Sequence, residues 1–229
     1  EQYLNKDLTG ESGLLESVTD VSKIPLTIGT HDVSVPAKNG ENYALTIDRS
    51  VQSQAEAILK EGVDNVASDA GSIVIMDPQT GRVIAMANYP DYDPTTYTKV
   101  KDGSVYQNYT VSGAFEPGSV MKTLTTGMSL DLGVVKPETT FVDPGCYKID
   151  GYNICNADGD AKFVGGTFNM MKVLQFSLNT GVTWQLMQIG NGEINNKSKQ
   201  QMYDFFTKEY RFGVKTGIQQ PSESAGAIY

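Results

Sequence analysis

The stretch GSIVIMDPQTGRVIAMAN, residues 71–88, constrains the fold more than any other part of the chain. Two β-branched runs flank an Asp-Pro and Thr-Gly turn, the pattern of an antiparallel hairpin, which is expected to open the main sheet. Just before it, ENYALTID alternates as a strand and stops at Asp48, a residue suited to cap a helix. Behind Asp48 the residues Val51, Ala55, Ile58, Leu59, Val63 and Val66 recur at helical spacing, so an amphipathic helix is expected to run to about residue 66.

The flanking regions differ in character. Residues 1 to about 44 are rich in Thr, Val, Gly and Asp with short alternating stretches such as HDVSV, and are expected to form strands and loops of a small, incomplete module. YPDYDPTTYTKVKDGSVYQNYT is polar, carries Pro90 and Pro94, and reads as a long surface connection. From Ser119 the residues Val120, Met121, Leu124, Met128 and Leu132 fall on helical spacing until Gly133. GGTFNMMKVLQF predicts a short helix capped by Thr167 or Asn169, SLNTG interrupts, and VTWQLMQIG resumes helical spacing to Gly190. A last helix is expected from about Lys199 to Tyr210, with Met202, Phe205 and Phe206 on one side and Gly213 at its end.

The 229 residues, 39% hydrophobic and 20% charged, suffice for one large domain and a smaller appendage. A formal charge of −9 repels nucleic acid and anionic lipid, which argues against a phosphate-backbone partner. No run approaches the ~18 consecutive apolar residues of a spanning helix, and EQYLNKDLTG lacks the regions of a signal peptide. The chain begins without methionine and ends without a stop or turn signal, so both ends are expected to be cuts in a longer sequence. With one histidine, His31, and no CxxC, neither a zinc site nor any other cofactor is expected.

The two cysteines lie in DPGCYKIDGYNICN. If Asp150-Gly151 is a two-residue turn, Ile149 faces Tyr152 and counting back sets Cys146 opposite Cys155. Non-hydrogen-bonded partners in such a pair have Cα atoms about 4.5 Å apart, within reach of a disulfide. Geometry permits the bridge; the redox compartment decides between it and two free thiols.

FEPGSVMKTLT places Ser119 and Lys122 three apart at the start of a helix, so both side chains rise from one face. A serine hydroxyl needs a base to take its proton, and a lysine serves where burial makes its neutral amine accessible. The helix start adds positive dipole near Ser119, which favours the alkoxide. Taken alone, a Ser-x-x-Lys also fits a capping serine followed by a solvated lysine. This one is unique in the chain, however, and a single Ser-x-Asn, Ser177-Leu178-Asn179, follows it at a break between two helices. That second motif alone fits an ordinary polar helix junction.

Ser-x-x-Lys, then Ser-x-Asn, then Lys-Thr-Gly is the motif order of penicillin-binding proteins and serine β-lactamases. ALTIDRSVQSQAE, GSIVIMDPQTGRVIAMANYPDYDP, FEPGSVMK and FSLNTG resemble, in order and spacing, the monofunctional class B penicillin-binding proteins, which are peptidoglycan transpeptidases. The resemblance runs from about residue 41 to the end. It implies an α+β fold of the penicillin-binding and serine β-lactamase type, an antiparallel sheet with helices, in which residues 41–229 form the N-terminal part of a transpeptidase domain. Residues 1–40 would be the tail of a non-catalytic pedestal module. By position, Ser119 would be the acylated nucleophile, Lys122 its proton acceptor, and Ser177 a relay to the leaving amine. Asn179 would hydrogen-bond Lys122 and the substrate amide. Glu116 could be suspected as a base, but reads better as a carboxylate suited to a helix N-terminus.

The implied reaction is attack on the penultimate D-alanine carbonyl of a D-Ala-D-Ala stem peptide, loss of the terminal D-alanine, and acyl transfer to a neighbouring strand's amine in elongation or division. β-Lactams would acylate Ser119. The implied parent faces outside the cytoplasmic membrane on an N-terminal anchor and works beside a membrane glycosyltransferase, a setting that favours the disulfide. The tripeptide Lys215-Thr216-Gly217 imitates the third motif, but FGVKTGIQQPSESAG resembles instead the family's Phe-Gly-x-x-Thr-Gly-Ile loop and lacks a strand's β-branched alternation. The true motif is therefore expected beyond this chain, and the polypeptide alone is expected to be weak or inactive. Two other readings stand beside this one: a β-lactamase or β-lactam sensor of the same fold, which would turn over a chromogenic β-lactam, and a non-catalytic scaffold, indifferent to Ser119→Ala.

Overall fold

The computed structural model describes residues 3–16, 21–22, 33–157 and 163–228; His31 lies outside them. The chain divides into two units, residues 1–113 with 217–224 and residues 114–216 with 225–229. The boundary expected at residue 40 falls inside the first.

The first unit begins with a short helix α1 (Asn5–Thr9) and a pair of three-residue strands, β1 (Leu14–Glu16) and β2 (Val33–Val35), in antiparallel register. Helix α2 (Arg49–Val66) starts where the sequence predicts, with the Asp48 carboxylate accepting from the Ser50 and Val51 amides at 2.8 and 3.0 Å. Strands β3 (Gly71–Met76) and β4 (Val83–Tyr89) form the expected hairpin, and among the described residues their sheet has these two strands. Asp77 closes the turn by accepting from Gln79 N at 2.9 Å and Thr80 Oγ1 at 2.6 Å. One helix turn apart, Val51, Ala55, Leu59 and Val63 line the face of α2 that packs on Ile73, Ile75, Ala85 and Ala87. Gly71 is required there, since a Cβ would stand 2.9 Å from both Leu59 and Val63.

One expectation fails here: residues 41–48 form no strand. Asp48 N does donate to Ile84 O at 2.9 Å, but α2 begins one residue later. The Gln52 amide then takes the place of the next ladder residue, donating to Met86 O at 2.9 Å and accepting from Met86 N at 2.8 Å. A side chain thus satisfies the open edge of β4. The polar connection that follows contains two 3-10 turns, Pro94–Lys99 and Gly103–Tyr106, and a four-residue helix α3 (Tyr109–Ser112).

In the second unit a 3-10 turn (Gly118–Val120) runs into α4 (Met121–Asp131), and the left-handed Gly133 ends the segment. Strand β5 (Thr140–Val142) pairs antiparallel with β8 (Thr167–Asn169), a contact the local pattern does not announce. Between them β6 (Cys146–Ile149) and β7 (Tyr152–Cys155) form the expected hairpin. Cys146 stands opposite Cys155 and the two are bridged, their Cα atoms 4.2 Å apart. Asp150 and Gly151 are both left-handed, as a two-residue hairpin turn of this kind needs.

Helix α5 (Met170–Gln175) is capped by Asn169, α6 (Asn179–Ile189) stops at Gly190, and α7 (Asn196–Asp204) starts three residues earlier than expected. A capping box between Asn195 and Ser198 sets that start, and a π turn (Phe205–Glu209) continues it. One core joins Val135, Phe141, Met170, Val173 and Leu178; a second joins Met128, Ile189 and Phe206. Together they pack α4, α5 and α6 side by side. Among the described residues no helix is long and apolar enough to cross a membrane.

Candidate active site

Ser119 sits in the 3-10 turn and Lys122 in the first turn of α4, so the helical spacing read from the sequence puts both on one face. Lys122 Nζ lies 3.1 Å from Ser119 Oγ. The helix is held in place at its far side: Tyr210 donates its hydroxyl to Leu124 O at 3.0 Å, over Gly127, where a Cβ would stand 2.9 Å from the Tyr210 hydroxyl oxygen.

Ser177 arrives from α5 by a different device. Leu178 N donates to Val173 O at 2.9 Å and Ser177 N to Leu174 O at 3.1 Å, the two bonds of a Schellman motif. The residue that such a motif turns left-handed is usually glycine; here it is Ser177, with φ 53°. A side chain in that conformation costs ~1 kcal/mol or more. What the serine supplies is a carbonyl and a hydroxyl both turned to Lys122, whose Nζ lies 2.6 Å from Ser177 O and 2.9 Å from Ser177 Oγ. The next residue, Leu178, is fully buried against Val173, the hydrophobic contact that accompanies the motif. Truncating it to alanine would cost about 2–5 kcal/mol.

The amine thus meets three neutral oxygens and, among its hydrogen-bond partners, no carboxylate. Burial holds its pKa below the ordinary lysine value, because partial loss of water disfavours the ammonium. In the neutral form two N–H groups satisfy Ser177 O and Oγ while the lone pair is left for the Ser119 proton. Ser119 itself is exposed.

Asn179, the first residue of α6, departs from expectation. Its amide nitrogen donates to Cys155 O at 2.7 Å, while the bonds of Lys122 go to the two serines. The left-handed turn at Ser177 brings that residue to the amine in place of Asn179. The next residues form a buried polar network: Asn156 Nδ2 donates to Asp143 Oδ2 at 2.7 Å, and Asn156 Oδ1 accepts from Thr180 N at 3.2 Å and Thr180 Oγ1 at 3.1 Å. Sequence reasoning missed Cys155 O, Asn156 and Asp143. A backbone acceptor leaves no trace in composition, and only the place of Asn156 directly after the cysteine hairpin marks it.

Lys215 lies in exposed irregular backbone and not in a strand, as its surroundings predict. Glu116 is exposed just before the Gly118 turn. Among the described residues no group of three His, Cys, Asp or Glu is placed to hold a metal ion.

A model of the penicillin binding protein transpeptidase domain matches residues 71–229. The chain belongs to this family. It is similar to Stage V sporulation protein D of Bacillus subtilis, 30% identical over all of the chain and 34% of that protein. Over 80% of its length it is 31% identical to the peptidoglycan D,D-transpeptidase FtsI of Escherichia coli, of which it covers 29%. The named relatives place this transpeptidase-family chain in the class B branch, and it spans about a third of their length. A putative peptidoglycan glycosyltransferase from Atopobium parvulum superposes with a TM-score of 0.78 at 27% identity, covering 99% of this chain and 47% of that one. Penicillin Binding Protein 2X from Streptococcus thermophilus superposes at 0.77 over the whole chain and 32% of that structure, at 22% identity, a likeness of fold alone. The α+β transpeptidase fold expected from the motifs is thereby established.

Proposed function

We propose that the protein carrying this chain is a peptidoglycan D,D-transpeptidase that works through an acyl-enzyme at Ser119. The observation that carries the reading is the Lys122 amine, 3.1 Å from Ser119 Oγ, joined to Ser177, and with its pKa lowered by burial. Ser119 Oγ attacks the penultimate D-alanine carbonyl of a stem peptide as its proton passes to Lys122 Nζ. The tetrahedral adduct collapses by breaking the C–N bond, and Lys122 returns the proton through Ser177 Oγ to the departing D-alanine amine. An acceptor amine then attacks the ester, gives up its proton by the same route, and regenerates the Ser119 hydroxyl. The positive end of the helix at Ser119 supports the alkoxide, and Asn179 orients the substrate amide.

A β-lactam mimics the donor with a ring amide whose leaving nitrogen stays tethered after the C–N bond breaks, so it would leave Ser119 acylated. The parent acts outside the cytoplasmic membrane, where the Cys146–Cys155 bridge persists, beside a glycosyltransferase that supplies glycan strands. Peptide mass spectrometry after exposure of the full gene product to labelled penicillin tests this. The label is expected on the Ser119 peptide and absent from Ser119→Ala. Label elsewhere, or rapid turnover of a chromogenic β-lactam, would replace the transpeptidase reading.

A further inference from the structure

Helix α6 has no side-chain cap of its own. Its N-cap residue, Leu178, is apolar and makes no capping hydrogen bond, so the first amides of the helix need acceptors from elsewhere. One comes from the hairpin: Asn156 Oδ1 accepts from Thr180 N at 3.2 Å and also from the Thr180 hydroxyl at 3.1 Å. The other end of the same amide donates to Asp143 Oδ2 at 2.7 Å. A carboxylate on one side and an N–H donor on the other leave the Asn156 amide a single workable orientation.

Asp143 is anchored in turn. Its second oxygen accepts from Gly145 N at 2.8 Å, its backbone N–H donates to Gly166 O at 2.9 Å, and its carbonyl accepts from Gly165 N at 2.7 Å. Asp143, Asn156 and Thr180 are 1%, 8% and 0% exposed, so water cannot replace any of these partners. Next to Asn156 the Cys155 carbonyl takes the Asn179 amide at 2.7 Å. The last hairpin residue and the one after it therefore hold the first two residues of α6, Asn179 of the Ser-Leu-Asn motif and Thr180.

We propose that Asn156 is the positioning residue of the Ser177-Leu178-Asn179 segment, a helix cap supplied in trans that fixes the Asn179 side chain for substrate. Asp143 locks the orientation of that cap. The inference rests on the acyl-transfer reading of Ser119.

The test is a double-mutant cycle on Ser119 acylation by labelled penicillin in the full gene product, with thermal melting run beside it. Asn156→Ala is expected to slow acylation about tenfold, the scale set by unpairing a buried polar group. The double variant Asn156→Ala/Asn179→Ala is expected to be no slower than Asn179→Ala, since one acts through the other. Thr180→Val, which removes one of the two contacts with little change of shape, is expected to slow acylation about threefold, with Thr180→Ser restoring the rate. It takes the place of Asn156→Ala in the cycle should that variant not fold. Wild-type acylation by the cap variants, or losses that multiply with Asn179→Ala, would overturn the proposal alone. A wild-type protein never acylated at Ser119 would overturn the acyl-transfer reading and this proposal with it.

Discussion

Lys122→Met removes the amine while keeping most of the apolar stem. Three hydrogen bonds disappear, at 3.1 Å to Ser119 Oγ and at 2.6 and 2.9 Å to the Ser177 carbonyl and hydroxyl. Both serines are exposed, so water re-pairs their oxygens, and the stability change is expected to stay within ~1 kcal/mol. The rate is another matter. A positioned base contributes about 10²–10⁴-fold, or about 2.7–5.4 kcal/mol at ~1.36 kcal/mol per tenfold. Lys122→Arg sharpens the test, because a guanidinium keeps the charge but cannot shed a proton, and the same loss is expected. The assay is the rate of labelled penicillin attachment to Ser119, with urea unfolding of each variant alongside. Acylation of Lys122→Met within tenfold of wild type, or full activity in Lys122→Arg, would refute the base assignment.

The pH profile follows from the same group. Only the neutral amine accepts the serine proton, so the acylation rate should climb about tenfold per pH unit and level off at the amine's pKa. The break should lie below that of a free lysine, because burial lowers it. For stability the sign is the same: between the lowered folded pKa and the ordinary unfolded one, the unfolded chain binds more proton, so stability rises with pH across that window. Lys122→Met should flatten that slope.

Other outcomes can be checked more briefly. Ser177→Gly relieves a left-handed side chain, which offsets the lost Lys122 bond of similar size, about 1 kcal/mol each; stability should hold in urea titrations while acylation falls. Gly181→Ala places a Cβ 2.6 Å from both methyl carbons of Val173 and should cost about 1–3 kcal/mol by thermal melting. Asp48→Ala uncaps α2, removing the carboxylate that accepts from the Ser50 and Val51 amides, and should cost ~1 kcal/mol. Intact mass should rise by two hydrogens when Cys146–Cys155 is reduced; an unchanged mass would refute the bridge.

What could be read from the chain was local. Asp48 with the i, i+4 series behind it, the Asp-Pro/Thr-Gly hairpin and the Asp150-Gly151 turn each state their geometry within a few residues, and the turn set the cysteine register correctly. Ser119 and Lys122 were legible for the same reason, being one helical turn apart. Contacts between distant segments were not. The pairing of Phe141 with Phe168 joins three-residue strands too short to show alternation. The ENYALTID stretch carried a strand's pattern, yet Gln52 occupied the edge it would have used. Lys122 met Ser177 because a serine took a glycine's conformation, which no residue count reveals.

Ser119 and Lys122 differ in depth: Ser119 is open to solvent, while Lys122, one turn along, is half-buried. A molecule that settles over the open hydroxyl also strips away part of the water still reaching the amine. On the acyl-transfer reading, occupancy would therefore lower the lysine's proton affinity further, at the moment a carbonyl comes within reach.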